Sequence, residues 1–480
     1  MHFGKSDSRL IAGGRKLTGI LLVFGLCFLV GQFSSAQPVF SKRGYYMTFM
    51  RMPTFGLREW KQMLVCLRQD GGNHLILWMG GGFKSKKFPI TWKYNAEHKN
   101  IRRDFVSELI REAHKLEVKV LLAFTPFAYD GVNQYTLEHP ELKATDKEGK
   151  PAKFWGMHSW GYNLCPSKPE SQNFMLEYAR EMFFEFYPEA DGIMIESSDY
   201  AICFCKDCGD QFFAREFRFV RQFADEIWAR KPAAEVLVYP HYFSGKKVPG
   251  FEVIGTTNSL DPRFTLFFTP HSAHIDPSLT KSNPGVFWIE GPPLATPWKV
   301  RDGAQLARKN NIGGFIPSLE PFSCVDGPPA AKRQRLKPFH FPWLADGQMP
   351  LNELLVMPYR VAYRAFSTDP EMSDQEFKAL LDREVFGVTT ANSSNRVDDL
   401  LALHEAYFFK AEWMRPPPLL DATELRARAA RENWSDKEWA HKKIEVLRRI
   451  KNSYQHSKNR REKEMARIAK VVLARWSVTP

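Results

Sequence analysis

The chain has 480 residues, 44% of them hydrophobic and 25% charged, which excludes a disordered or fibrous protein and suffices for one large core plus a smaller second unit. The net charge of +13 is uneven, with sixteen Lys and Arg against eight Asp and Glu in residues 421–480. The stretch 37–420 is nearly neutral, so charge gives no ground for a polyanionic substrate of the main body.

The first element is an address. Lys5, Arg9, Arg15 and Lys16 precede an apolar run from Leu17 to Gly31, and Ser34-Ser35-Ala36 offers small residues for cleavage before Gln37. The run is short of the roughly 20 apolar residues a membrane span needs. It reads as a secretory signal peptide over 1–36 and export to the periplasm or beyond, with a retained N-terminal anchor as the alternative.

From Tyr45 onward, short apolar β-rich runs alternate with helical patterns, as in a parallel sheet with crossover helices. The expected strands are Tyr45–Met50, His74–Trp78, Val118–Phe124, Gly192–Glu196, Val236–Tyr239, Phe264–Phe268, Gly285–Glu290 and Gly314–Pro317. Helices are expected at Leu57–Arg68, Ile101–Leu116, Ser171–Tyr187, Gln211–Arg230 and Val300–Asn310. This number of strands fits an α/β fold, a (β/α)8 TIM barrel over residues 40–325, with a doubly wound sheet as the alternative. A linker over 326–350 leads to a smaller α-helical C-terminal domain, 351–480. There Leu351–Ser367, Asp374–Phe386 and Val397–Trp413 read as helices, and a long basic helix runs from Ser435 to Trp476.

TIM-barrel chemistry sits at the C-terminal ends of strands. The fourth expected strand runs straight into Glu196, with Asp199 three residues on, and the seventh ends in Glu290. The eighth leads to Glu320. Glycoside cleavage needs two carboxyl groups flanking the bond, so Glu196 and Glu290 are the first candidates, with Asp199 and Glu320 behind them. Trp78 and Trp288 fall at strand ends and suit stacking on sugar rings. Arg51, Asp130, His241 and His271 follow strands one, three, five and six and are candidate substrate contacts. No cofactor is expected for catalysis.

The segment GIMIESSDYAICFCKDCGDQFF resembles the region around the acid/base glutamate of the family 42 β-galactosidases, in the large retaining TIM-barrel clan. FWIEGPPLATPW is similar to the strand-seven nucleophile region of the same family. The resemblance covers these two blocks and the barrel-then-helices layout. It implies a retaining glycosidase with Glu196 as acid/base and Glu290 as nucleophile. Ile195 stands where that clan places an Asn, and the two glutamates are closer in sequence. The blocks NLCPSKPE and DGIMIESSDY also resemble α-glucuronidase-like and hexosaminidase-like barrels, which would recruit Asp199 or Glu320 in place of Glu290. A non-catalytic glycan-binding protein on the same scaffold is the rival function.

Cys203, Cys205 and Cys208 form C-x-C-x2-C, and Cys165 lies upstream. Four thiolates suit a closed, structural zinc site; in an oxidising compartment a disulfide is the competing reading. The basic tail has two readings, an amphipathic helix with a solvated face or a weak contact with an anionic wall polymer or membrane surface. It carries no interleaved aromatics for nucleic acid, so the expected partner is an oligo- or polysaccharide.

Overall fold

A computed structural model of the chain describes residues 39–49, 56–93, 96, 99–129, 131–152, 161–196, 202–239, 261–268, 285–291, 296–318, 352–387, 395–407 and 437–476. Eight strands pair in sequence order and close into a barrel. They are β1 (Lys42–Thr48), β2 (His74–Trp78), β3 (Lys119–Phe124), β4 (Gly192–Ile195), β5 (Glu235–Val238), β6 (Phe264–Phe268), β7 (Val286–Glu290) and β8 (Gly314–Ser318). Every pairing is parallel, and the seam joins β1 to β8 at Lys42↔Gly314 and Tyr46↔Ser318. A doubly wound sheet is thereby ruled out.

Beyond their first residues both faces of the strands are mostly buried, so the runs are largely apolar instead of alternating with polar residues. The pleat sends alternate side chains to two different cores. Tyr46, Ile76, Trp78, Leu121, Ala123, Met194, Leu237, Phe267, Val286, Trp288 and Ile316 fill the lumen. Their neighbours, among them Tyr45, Leu77, Leu122, Ile193, Ile195 and Phe315, pack outward against the helices. That outer ring contains α1 (Leu57–Gln69), α2 (Val106–Lys115), α3 (Pro169–Arg180), α4 (Phe212–Arg230) and α5 (Pro297–Lys309).

Some expected helices differ in detail. The stretch expected as one helix over Ile101–Leu116 is a short turn, Lys99–Arg102, followed by α2. Between the two, Asp104 Oδ1 accepts the Val106 amide at 3.0 Å, an Asx-type turn that leads the chain into α2. α3 begins earlier than expected, with Pro169 in its first turn, and continues as a π-helix over Glu181–Phe186. The buried Glu181 carboxylate there accepts the amides of Lys86 at 2.6 Å and Lys87 at 3.2 Å, tying down the loop after β2.

Beyond β8 come α6 (Asn352–Thr368), α7 (Asp374–Phe386), α8 (Asn395–Tyr407), α9 (Lys437–Tyr454) and α10 (Arg460–Trp476). The expected long basic helix is thus a helical hairpin. Its break is a capping arrangement: Asn459 Oδ1 accepts the amide of Arg461 at 2.8 Å, and Ser457 donates to Glu462. α6 packs along α5, and Tyr363 on it accepts the Gly44 amide at 2.9 Å and donates to Phe315 O at 2.9 Å. Arg360 grips Asp70 through Nε and Nη2, both at 2.9 Å, and Arg364 Nη1 reaches the same carboxylate at 2.7 Å.

At the N-terminal rim, Glu235 of β5 is ringed by Lys42, by His74 Nε2 at 3.3 Å and by Lys119 Nζ at 2.7 Å. Burial alone would raise its carboxyl. The hydrogen bond and charge of His74, with Lys42 and Lys119, hold it well below the usual carboxylate range instead. That rim serves stability; the opposite one carries the candidate site. No helix among the described residues is long and apolar enough to cross a membrane.

Candidate active site

The fourth strand ends one residue before Glu196. Gly192 opens it, and the close approach to β5 requires a glycine, because a Cβ there would lie 2.1 Å from Glu235 O. Met194 faces the lumen, and Glu196, two residues on, continues that face above it. The side chain is 7% exposed. A carboxylate so buried needs hydrogen-bond donors, and two hydroxyls supply them. Tyr46, on β1 across the lumen, donates to Oε1. Thr125, directly after β3, donates to Oε2 at 3.0 Å. One hydroxyl on each oxygen fixes both the rotation and the depth of the carboxylate at the barrel mouth.

Aromatic rings surround this group. Tyr46 meets Trp288 edge-on with centroids 6.0 Å apart and lies 6.2 Å from Phe267. Phe267 stacks on Tyr239 at 6.0 Å. Trp78 and Trp288 are 2% and 5% exposed, so their rings belong to the lumen packing beneath the rim. Two of the expected residues, Glu196 and Trp288, therefore meet through a third that the sequence reading passed over, Tyr46. Thr125 was passed over too. Both share the inward pleat of their strands, Tyr46 between Gly44 and Thr48 and Thr125 two residues after Ala123. That parity was the available signal.

The backbone of Glu290 ends β7 and pairs with Ser318, which also pairs with Tyr46. Glu196 and Glu290 thus stand at the same, C-terminal rim. The side chain of Glu290, and Arg51, Asp130, Asp199, His241, His271 and Glu320, lie outside the described residues.

Beside the rim, the loops after β3 and β4 converge on four thiols. The sulfurs of Cys165, Cys203, Cys205 and Cys208 all lie within 4.8 Å of one another. Cys165 Sγ is 3.6 Å from Cys205 Sγ and from Cys208 Sγ. A disulfide would need about 2.05 Å, and all four cysteines are free. Edges of 3.6 Å fit a tetrahedron with metal–sulfur bonds of about 2.3 Å. The thiols already polarise one another. Hydrogen bonds from Cys203 and Cys208, with Ser167, hold the Cys165 thiol far below its ordinary value, while Cys203 and Cys208 are pushed up by Cys165. The same cluster knits the loops together: Thr145 N donates to Cys203 Sγ at 3.3 Å and Phe204 N to Thr145 O at 2.7 Å.

No family model and no curated protein matches the sequence. Solved structures do. A GH138 enzyme described as targeting pectin rhamnogalacturonan II matches 92% of this chain at 12% identity and a TM-score of 0.53. The chain spans 58% of that enzyme. An O-GlcNAc hydrolase variant from Thermobaculum terrenum matches 91% of this chain and 82% of its own length, at 11% identity and a TM-score of 0.48. The α-L-fucosidase isoenzyme 2 from Paenibacillus thiaminolyticus matches 72% of this chain and 49% of its own, at 14% identity and a TM-score of 0.41. The closed parallel barrel and the match to the GH138 enzyme give the chain a TIM-barrel fold, followed by a helical C-terminal region.

Proposed function

We propose that the chain is an exported glycoside hydrolase in which Glu196 is one of two reacting carboxylates and Glu290 is the other, acting with retention. The observation that carries this reading is Glu196 itself: a buried carboxylate at the end of β4, oriented by Tyr46 and Thr125 above the aromatic packing of the lumen. Retention requires carboxyl groups about 5–5.5 Å apart, so that one protonates the leaving oxygen while the other attacks. In the first assignment Glu196 is the acid/base and Glu290 the nucleophile.

The two hydroxyl donors favour a second assignment. A carboxylate that accepts on both oxygens is disposed as the ionised partner. Glu196 then attacks or activates water, and the acid comes from Glu290, Asp199 or Glu320. Rescue by azide separates the two. If Glu196→Gly gives a glycosyl azide of inverted anomeric configuration, Glu196 is the nucleophile. A retained azide, formed only from substrates with good leaving groups, assigns it as the acid/base. If neither azide forms and the variant keeps wild-type turnover, Glu196 is not a reacting group.

We also propose that the four thiols hold a structural zinc ion. With four sulfur ligands there is no open position for water, so the metal would brace the loops after β3 and β4 and take no part in the chemistry. The substrate would be an oligo- or polysaccharide.

A further inference from the structure

The C-terminal hairpin carries an arrangement that the barrel does not use. α10 buries Met465, Ile468, Ala469 and Val472 against its helical neighbours. Its outward face is left with Arg460, Lys463, Arg467 and Lys470, all exposed. Their spacing of three, four and three residues places them one above another on a single stripe about 15 Å long.

The acids of α10 do not neutralise this stripe. Glu462 accepts from Ser457 and pairs with Arg396 of α8 at 3.4 Å. Glu464, mostly covered, pairs with Arg461 at 3.7 Å and reaches Arg467 only at 3.8 Å. Among the described residues Arg460, Lys463 and Lys470 make no ion pair, and neither do Lys458 in the turn or Arg448 and Lys451 on α9. Some cations of the barrel surface are paired instead, Lys87 with Glu177 and Glu185 and Arg180 with Glu226. Like charges at helical spacing repel, and a surface that only faces solvent has no need to segregate them.

We propose that this face of α10 is a binding site for an acidic polysaccharide, which holds the protein on its polymer independently of the cleft. A linear polyanion matches a linear row of cations and releases its counterions on binding. A lipid surface fits less well, because the exposed stripe has no large apolar side chain to enter the interface. A nucleic acid fits less well because, among the described residues, no aromatic ring stands between the cations to stack a base. The choice of a glycan among polyanions rests on the glycosidase reading above.

The test uses the full mature chain and its Glu196→Gln variant, so that binding is read without turnover. Polygalacturonate is the probe, with neutral dextran, anionic vesicles of phosphatidylglycerol and phosphatidylcholine, and duplex DNA as comparisons. Two variants change the net charge equally: Lys463→Glu with Lys470→Glu on the stripe, and Lys93→Glu with Arg103→Glu on the barrel. Thermal melting and far-ultraviolet circular dichroism check that both still fold. Milder Gln replacements at 463 and 470 stand in should the Glu pair unfold.

The expected result is salt-sensitive binding to polygalacturonate and none to dextran. The stripe variant should bind at least tenfold more weakly and flatten the log–log salt dependence by about one per cation removed. Equal weakening by the barrel variant overturns the site, since net charge alone would then explain it. Vesicles or DNA bound as tightly as polygalacturonate overturn the choice of a glycan. Binding is measured apart from turnover, so a failed glycosidase assay and a failed stripe are separate results.

Discussion

A buried carboxylate held on both oxygens has one orientation available, and Tyr46 and Thr125 determine it for Glu196. Hydrogen bonds to a charged group contribute about 1.5–3 kcal/mol. Tyr46→Phe should therefore lower kcat/KM by roughly 10- to 100-fold while leaving KM nearly unchanged, because the ring stays and only the orienting hydroxyl is lost. A large rise in KM with kcat intact would instead make Tyr46 a substrate ligand. The thiols give a second expectation at this scale. The protein should bind one zinc per chain, measured by elemental analysis, and Cys165→Ser should release it and lower the melting temperature. Protein purified without metal, or with a disulfide in the cluster, contradicts the zinc proposal. Glu196 and the four cysteines were legible from sequence because a strand leads straight into one and tight spacing marks the others. Tyr46 was not, since no local pattern records that β1 and β4 face each other across a lumen.

At the scale of single elements, α8 carries His404, fully buried, and burial pushes its imidazole down to about 4. The unfolded chain has an ordinary histidine near 6.5, so between about pH 6.5 and 4 it binds the proton that the folded chain refuses. Stability from this group is present above that window and is lost as pH falls through it, on the order of 3 kcal/mol. His404→Gln should flatten the stability–pH profile in that window, read from urea midpoints; an unchanged slope would place the acid sensitivity elsewhere. Element boundaries were legible wherever a run of apolar residues met a polar strand end, and His74–Trp78 and Phe264–Phe268 agree to the residue. The misses were helix starts. Asp104 and Asn459 each restart a helix, and a periodic pattern read across them sees one helix where a side chain has made two.

For the whole molecule, the barrel and its C-terminal helices are joined by buried charge. Asp70 is fully covered and is shared by Arg360, Arg364 and Tyr45. Removing one partner of a buried pair strands the others, at a cost of about 3–5 kcal/mol. Asp70→Ala should lower the stability of the barrel and the helical region together, seen as one cooperative transition at lower urea. Loss of the helices alone, with the barrel still folded, would show that α6 is not part of the barrel's own packing. Sequence revealed the order of strands and helices but not this joint, because an Asp just beyond one helix and two Arg on another, 290 residues apart, share no local signature. The proposal that most depends on the assembled molecule is hydrolysis at the rim. The most direct measurement is kcat/KM on a panel of β-galactoside, α-glucuronide and N-acetyl-β-glucosaminide aryl glycosides, for the protein beside Glu196→Gln. Turnover of one sugar class, reduced by about 10²–10⁴ in the variant, is the predicted result. Turnover equal in both proteins would contradict it.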